Sequence, residues 1–396
     1  MEGTAAAHEE RVTPLELFFD LVFVFGITQV TSLLSDDPTW GGVLRGMLVL
    51  GALWWAWAAY AWLTNTLNPE EGAVRLAVFV AMGAMLIVAL AVPEAFADHG
   101  VLFGLAYFVV RAMHLALYAI AAKGDHDLLG AVLRMTPSSM ISSVLLVTAG
   151  FLEGDVRIAL WVIALATDYL GVLVGRGSGW RVSPRHFAER HGLIVIIAIG
   201  ESIVAVGVGA AGLPLGAGRV TAALLGVAVA AGLWWAYFDW ASIATERMLG
   251  RVTGAEQAAL ARDVYSYLHL PMVAGIVLFA LGMKKTLADY GDPLETIPAA
   301  ALCGGLALYL LAHVVLRYRT SGIFGRRSIG HGRPTAVVAL VALFPLALEL
   351  PALATLAAVT AVVVGLIAYE AIRYREPRAQ IRAGVDPTPQ LMSGGR

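Results

Sequence analysis

The chain has 396 residues, of which 59% are hydrophobic and 14% charged, with a formal net charge of −2. Mean hydropathy is +0.76. Soluble domains carry roughly 25% charged residues, so a chain this apolar cannot cover a soluble globule with polar surface and belongs in a bilayer.

Residues 1–13 read as a polar N-tail. They lack the basic start and small-residue cleavage site of a signal peptide, so the first apolar stretch is expected to remain as a span. Helices are predicted at 14–34, 41–64, 74–93, 100–122, 131–151 and 156–174. After a linker at 175–186 they continue at 187–211, 219–243, 263–283, 294–316, 335–350 and 352–372. Most of these cross a hydrocarbon core of about 30 Å at 1.5 Å per residue. The weakest division is LELPALA (348–354), where Pro351 removes a backbone donor and ends a helix. One unbroken segment there, about 38 residues, is too long for a single span. Residues 373–396 read as a disordered tail.

The expected fold is therefore all-α and membrane-integral, with about twelve transmembrane helices. The basic residues support the count. Twenty-one Lys and Arg fall on the side that holds both tails, five on the other (Arg45, Arg157, Arg219, Lys284 and Lys285), and Arg111 lies inside the fourth helix. The positive-inside rule then places both termini in the cytoplasm of a bacterial inner membrane. Trp54-Trp55 in the second helix and Trp234-Trp235 in the eighth are 180 residues, or six helices, apart. This predicts two parallel six-helix repeats, 14–174 and 187–372, about an axis along the membrane normal. The alternative is chance likeness between tryptophan-rich helices.

Ionisable groups in hydrocarbon cost roughly 2.5–3.5 kcal/mol, which makes each a candidate functional residue. Glu16 and Asp20 are four apart and share a helix face. Like charges there repel and need a cation, a partner or a proton. The plain alternative is an interfacial Glu16 and a structural salt bridge at Asp20. In the seventh helix, Glu189, Arg190 and His191 form a charged entrance. Glu201 lies ten residues beyond His191, about 15 Å deeper, between Gly200, read as a close-approach glycine, and the hydroxyl of Ser202. Asp20 and Glu201 are expected to occupy matching helices as a pseudo-symmetric pair.

Arg111 and His114 share a face of the fourth helix. Arg111 needs an acid, with Glu201, Asp20 and Asp168 available, as a clamp or as a substrate-anion site. Asp239 lies near a helix end, where it reaches water. His269 and His313 read as packing histidines. Trp55 and Trp235 form either an aromatic belt or pocket walls.

Several chemistries are excluded. The balanced charge makes no case for nucleic acid. The single cysteine, Cys303, leaves no internal disulfide or cysteine metal cluster. There is no Walker A loop, HExxH, DDxxD or TVGYG. No cofactor, metal or catalytic residue is assigned.

Two segments together, PLELFFDLVFVFGITQV (14–30) and HFAERHGLIVIIAIGESIVAV (186–206), resemble the bacterial low temperature requirement protein A family. The likeness rests on Glu16, Phe19, Asp20, Glu189, Arg190, His191, Gly200, Glu201 and Ser202. It implies a multi-pass membrane protein and does not fix a mechanism. The first helix is also similar to two-by-six-helix potassium channels, over that helix only. Three functions stay open. One is a transporter or channel for a cation, proton or proton-coupled small solute. The second is an intramembrane enzyme acting on a lipid or isoprenoid. The third is a non-catalytic factor for cold or stress adaptation. The first is preferred. Its partners are the bilayer and an unidentified ion or small molecule, and homo-oligomerisation is left open.

Overall fold

A computed structural model describes residues 12–174, 179–321, 329–376 and 379. Most of both expected tails and part of the 175–186 linker lie outside these residues. The helices are α1 (Pro14–Asp36), α2 (Trp40–Thr64), α3 (Gly72–Ala91), α4 (Gly100–Ala121), α5 (His126–Gly150), α6 (Gly154–Val174) and α7 (Pro184–Ala210). They continue as α8 (Ala217–Phe238), α9 (Ala241–Leu249), α10 (Gly254–Ala261), α11 (His269–Ala288), α12 (Thr296–Ser321), α13 (Gly332–Ala347) and α14 (Ala352–Arg373). Among the described residues no strand forms; an isolated bridge links Pro293 and Pro351.

Among the described residues eleven segments are long and apolar enough to cross a membrane, and α13, with 16 residues, is a shorter apolar helix. By helical rise α13 spans about 24 Å. The chain does divide at 348–351, so α13 and α14 are separate. Two expected spans are less regular than their composition suggests. The eighth stops at Asp239, and α9 follows as a separate short helix. The ninth begins with α10 and a π-helical turn, Arg262–Tyr267, before α11.

Local chemistry explains the starts. Thr13 caps α1: its hydroxyl accepts from the Glu16 N–H, and the Glu16 carboxylate accepts from the Thr13 N–H at 2.8 Å, with Pro14 in the first turn. Asp125 caps α5 by accepting from the Leu128 N–H at 3.1 Å, so α5 begins five residues before its expected start at 131. Pro184 takes the first turn of α7 as Pro14 does in α1, although Ser183 makes no side-chain cap hydrogen bond, and α7 starts three residues earlier than expected.

The helices pack in the same order in each half. In the first, α1 lies on α2 and α3, then α3, α4, α5 and α6 follow one another, and α2 touches α6. In the second, α7 lies on α8 and α11, then α11, α12, α13 and α14 follow, and α8 touches α14. Close crossings rest on glycine: a Cβ on Gly104 of α4 would lie 2.6 Å from Val147 Cα of α5. The halves meet where α1 and α2 touch α7 and α11.

Candidate functional site

The α1–α7 contact is an ion-pair row. His186 Nε2 lies 3.0 Å from Glu16 Oε1, and Arg190 Nη1 lies 3.4 Å from the same oxygen. Arg190 Nη2 donates to Asp20 Oδ1 at 2.9 Å, and Trp57 Nε1 of α2 donates to that oxygen at 2.8 Å. The Arg190 guanidinium also lies 5.7 Å from the Trp57 ring centroid. Glu16, Asp20, His186 and Arg190 are all buried. Each half supplies two groups four residues apart, so both pairs point from one helix face. A small cavity bounded by Glu16, Arg190, Tyr60 and Thr64 adjoins the row.

The fixed charges in this row do not balance. Two carboxylates face one arginine, and neutrality is reached only when the cluster holds one more proton, on His186 or on an acid. Glu189 differs from its neighbours: it is exposed, and its carboxylate approaches the Val12 N–H at 3.5 Å. His191 faces inward. Its Nδ1–H donates to the Phe187 carbonyl at 2.8 Å, and the rings of Trp54, Trp57, Phe187, Tyr265 and His269 surround it.

The expected pairing of Asp20 with Glu201 is corrected by this register. Residues 16 and 20 face 186 and 190, 170 positions on, so the level of Asp20 on α7 belongs to Arg190. Glu201 lies eleven residues further along, about 16 Å deeper. There it is buried and accepts from Thr28 Oγ1 of α1 at 2.5 Å. Ser202 donates back to the Ile199 carbonyl of its own helix at 2.6 Å. Gly200 is not a close-approach position, because a Cβ there would meet open space.

A second site lies within the first half. Arg111 is 1% exposed and halfway along α4. Its Nη2 donates to Asp168 of α6 at 3.1 and 3.0 Å and to Ser139 Oγ of α5 at 2.5 Å, while Ser139 Oγ donates to Asp168 at 3.1 Å. Of the three acids read as partners for Arg111, the fold brings Asp168. Arg111 Nε and Nη1 are buried without a hydrogen-bond partner. Arg111 is one of the residues lining a cavity of about 780 Å³, counting its open mouth, between α2, α4, α5, α6 and α10. His114 lines it too, its Nε2–H donating to the Ala59 carbonyl at 3.1 Å. Trp55 is another wall, stacked 4.0 Å from Tyr169.

The tryptophan pairs part company. Trp54 and Trp55 are buried, and Trp54 Nε1 donates to the Ser266 carbonyl in the π-helical turn at 2.7 Å. Trp234 and Trp235 are 46% and 40% exposed. Trp235 thus faces outward and is not a pocket wall. Asp239 is buried where α8 ends, beside Trp240.

Sequence reasoning passed over a third cluster. Arg333 of α13 donates through Nε to Glu370 Oε1 at 2.8 Å and through Nη2 to Glu370 Oε2 at 3.2 Å and the Ala236 carbonyl at 2.8 Å. Its guanidinium lies 5.6 Å from the Trp240 ring centroid. It borders a second cavity with Arg247, Arg251 and Arg317. Arg333 lies just before the helix expected at 335–350 and Glu370 near the end of the one expected at 352–372, so neither position signals a buried pair. Among the described residues no group of three or more His, Cys, Asp or Glu is placed to hold a metal ion.

Comparison with known proteins agrees with the membrane architecture. The family profile described as bacterial low temperature requirement A protein (LtrA) matches residues 11–368. A protein of Rhizobium meliloti (strain 1021), named only as uncharacterized, is 34% identical over 307 residues, covering 74% of each chain. No solved structure matches. The chain belongs to the bacterial low temperature requirement A family.

Proposed function

We propose that this low temperature requirement A family member is a transporter of the bacterial inner membrane. It moves a proton, a cation or a small solute coupled to one, with both termini cytoplasmic. The observation that carries this reading is the buried row of Glu16, Asp20, His186 and Arg190, in which two carboxylates face one arginine and one histidine. Such a group in a low-dielectric interior is expensive to keep and suits reversible protonation. It lies where the halves meet, so a change in its charge alters their attraction directly. Glu201 and Thr28, deeper on the same two helices, extend the polar line.

We take the halves 14–174 and 187–372 as duplicated bundles, which the shared packing order supports. A rocking motion between such bundles would expose their interface to each side in turn. The test is pH- or voltage-driven flux in proteoliposomes, comparing wild type with Asp20→Asn and Glu201→Gln. Wild type should carry flux, and Asp20→Asn should abolish it while the protein stays folded. A wild type that moves no proton, cation or solute would sink the transport reading. An Asp20→Asn protein as active as wild type would make the row structural.

A further inference from the structure

The Arg111 cavity carries an inference separate from the α1–α7 row. Its lining includes Arg111, Arg134 and Arg262 and no carboxylate. Arg262 is paired with Asp263 at 2.6 Å, and Asp168 stands behind Arg111 at 3.0 Å. The walls are aromatic. Trp62 and Trp180 meet edge to face at 5.9 Å between centroids, and Tyr118 and Trp180 at 5.3 Å. Trp62 Nε1 is engaged with Ser266 Oγ at 2.8 Å, so its ring is held in place. Arg111 is among the lining residues, and its Nε and Nη1 are buried without an acceptor. A buried guanidinium with unused donors is costly unless something completes it.

We propose that this cavity binds a small organic monoanion with a flat apolar body, of the arylcarboxylate class. Its carboxylate accepts from Arg111, and its body lies among Trp55, Trp62, Tyr118 and Trp180. A carboxylate matches the guanidinium donors. A monoanion fits better than a phosphate dianion because Asp168 already neutralises much of Arg111, and each extra buried charge must be desolvated. The aromatic walls select a flat body by stacking and apolar burial.

The test is equilibrium binding to the full-length protein in phosphatidylcholine nanodiscs, read by tryptophan emission and by unfolding temperature. It does not depend on flux, so its failure and that of the transport reading are distinguishable. The probes are phenylacetate, the uncharged 2-phenylethanol and inorganic phosphate. Phenylacetate should saturate, and 2-phenylethanol should bind at least about tenfold more weakly. The paired variant Arg111→Gln/Asp168→Asn removes both charges and should erase that preference. Trp180→Ala, on the segment before α7, should weaken phenylacetate about tenfold and serves as the deciding variant if the pair does not fold. Equal binding of the two aryl probes, an unchanged preference in the paired variant, or unchanged affinity in Trp180→Ala would overturn the proposal. So would the absence of a saturable response from monodisperse wild type at millimolar phenylacetate. Saturation by phosphate alone, or displacement of phenylacetate by phosphatidylglycerol, would overturn the arylcarboxylate assignment and point to a free phosphate or a lipid headgroup.

Discussion

Arg111 and Arg333 are both buried against a carboxylate, one in each half, and they spend their donors differently. Arg333 reaches both oxygens of Glu370 and the Ala236 carbonyl, and no nitrogen of it is left buried and unpartnered. It joins α13 and α14 to the end of α8, beside helix termini. Arg111 sits halfway along α4, lines a cavity, uses one nitrogen for Asp168 and Ser139, and leaves two buried nitrogens without an acceptor. The first has the geometry of a clamp. The second is a clamp with part of its hydrogen bonding unmet. Buried charge by itself does not mark a site; the unmet remainder of its hydrogen bonding does.

The sharpest way to break this comparison is to remove each arginine. Arg111→Ala should destabilise the protein by about 3–5 kcal/mol, since it leaves Asp168 buried and alone. Adding Asp168→Asn should recover much of that loss, as measured by thermal unfolding in detergent. Arg333→Ala, nearer helix ends, should cost about 1–3 kcal/mol. Equal losses would erase the distinction drawn between the two sites. A second contrast concerns the tryptophans. Trp55→Ala should cost about 3–5 kcal/mol because it opens a hole against Tyr169 and the cavity wall. Trp235→Ala, on an outward face, should stay within about 0.5 kcal/mol. The smallest expected stability change is at Glu201→Gln. Thr28 can still donate to the amide oxygen, so unfolding should barely move, and only flux reports the charge.

The apolar runs made the spans readable, because length and apolarity are properties of single segments. Side-chain pairing is not. Arg111 could be read only as needing one of three acids, since the choice of Asp168 depends on how α4, α5 and α6 pack. The Trp-Trp offset of 180 was misleading for α1 and α7. Thr13-Pro14 and Ser183-Pro184 define a 170-residue register that the sequence does contain, with Glu16 and Asp20 matching His186 and Arg190. The break at Asp239 and the π-helical turn at 262–267 were hidden, because no glycine or proline marks either place. Their consequence is clear only once Trp54 and Trp62 are seen to dock on Ser266.

The 170-residue register also imposes a timetable. Glu16 and Asp20 are synthesised 170 positions before His186 and Arg190, the groups that neutralise them. At about 5–20 residues per second, the acids wait about 10–30 s for those partners. Throughout that interval α1 carries two carboxylates without their cations, and its seat in the bilayer is provisional. A chain that stops before Pro184 never leaves this state. The row therefore ties the start of the protein to the start of its second half: the acids of α1 gain their cations only once α7 has been made.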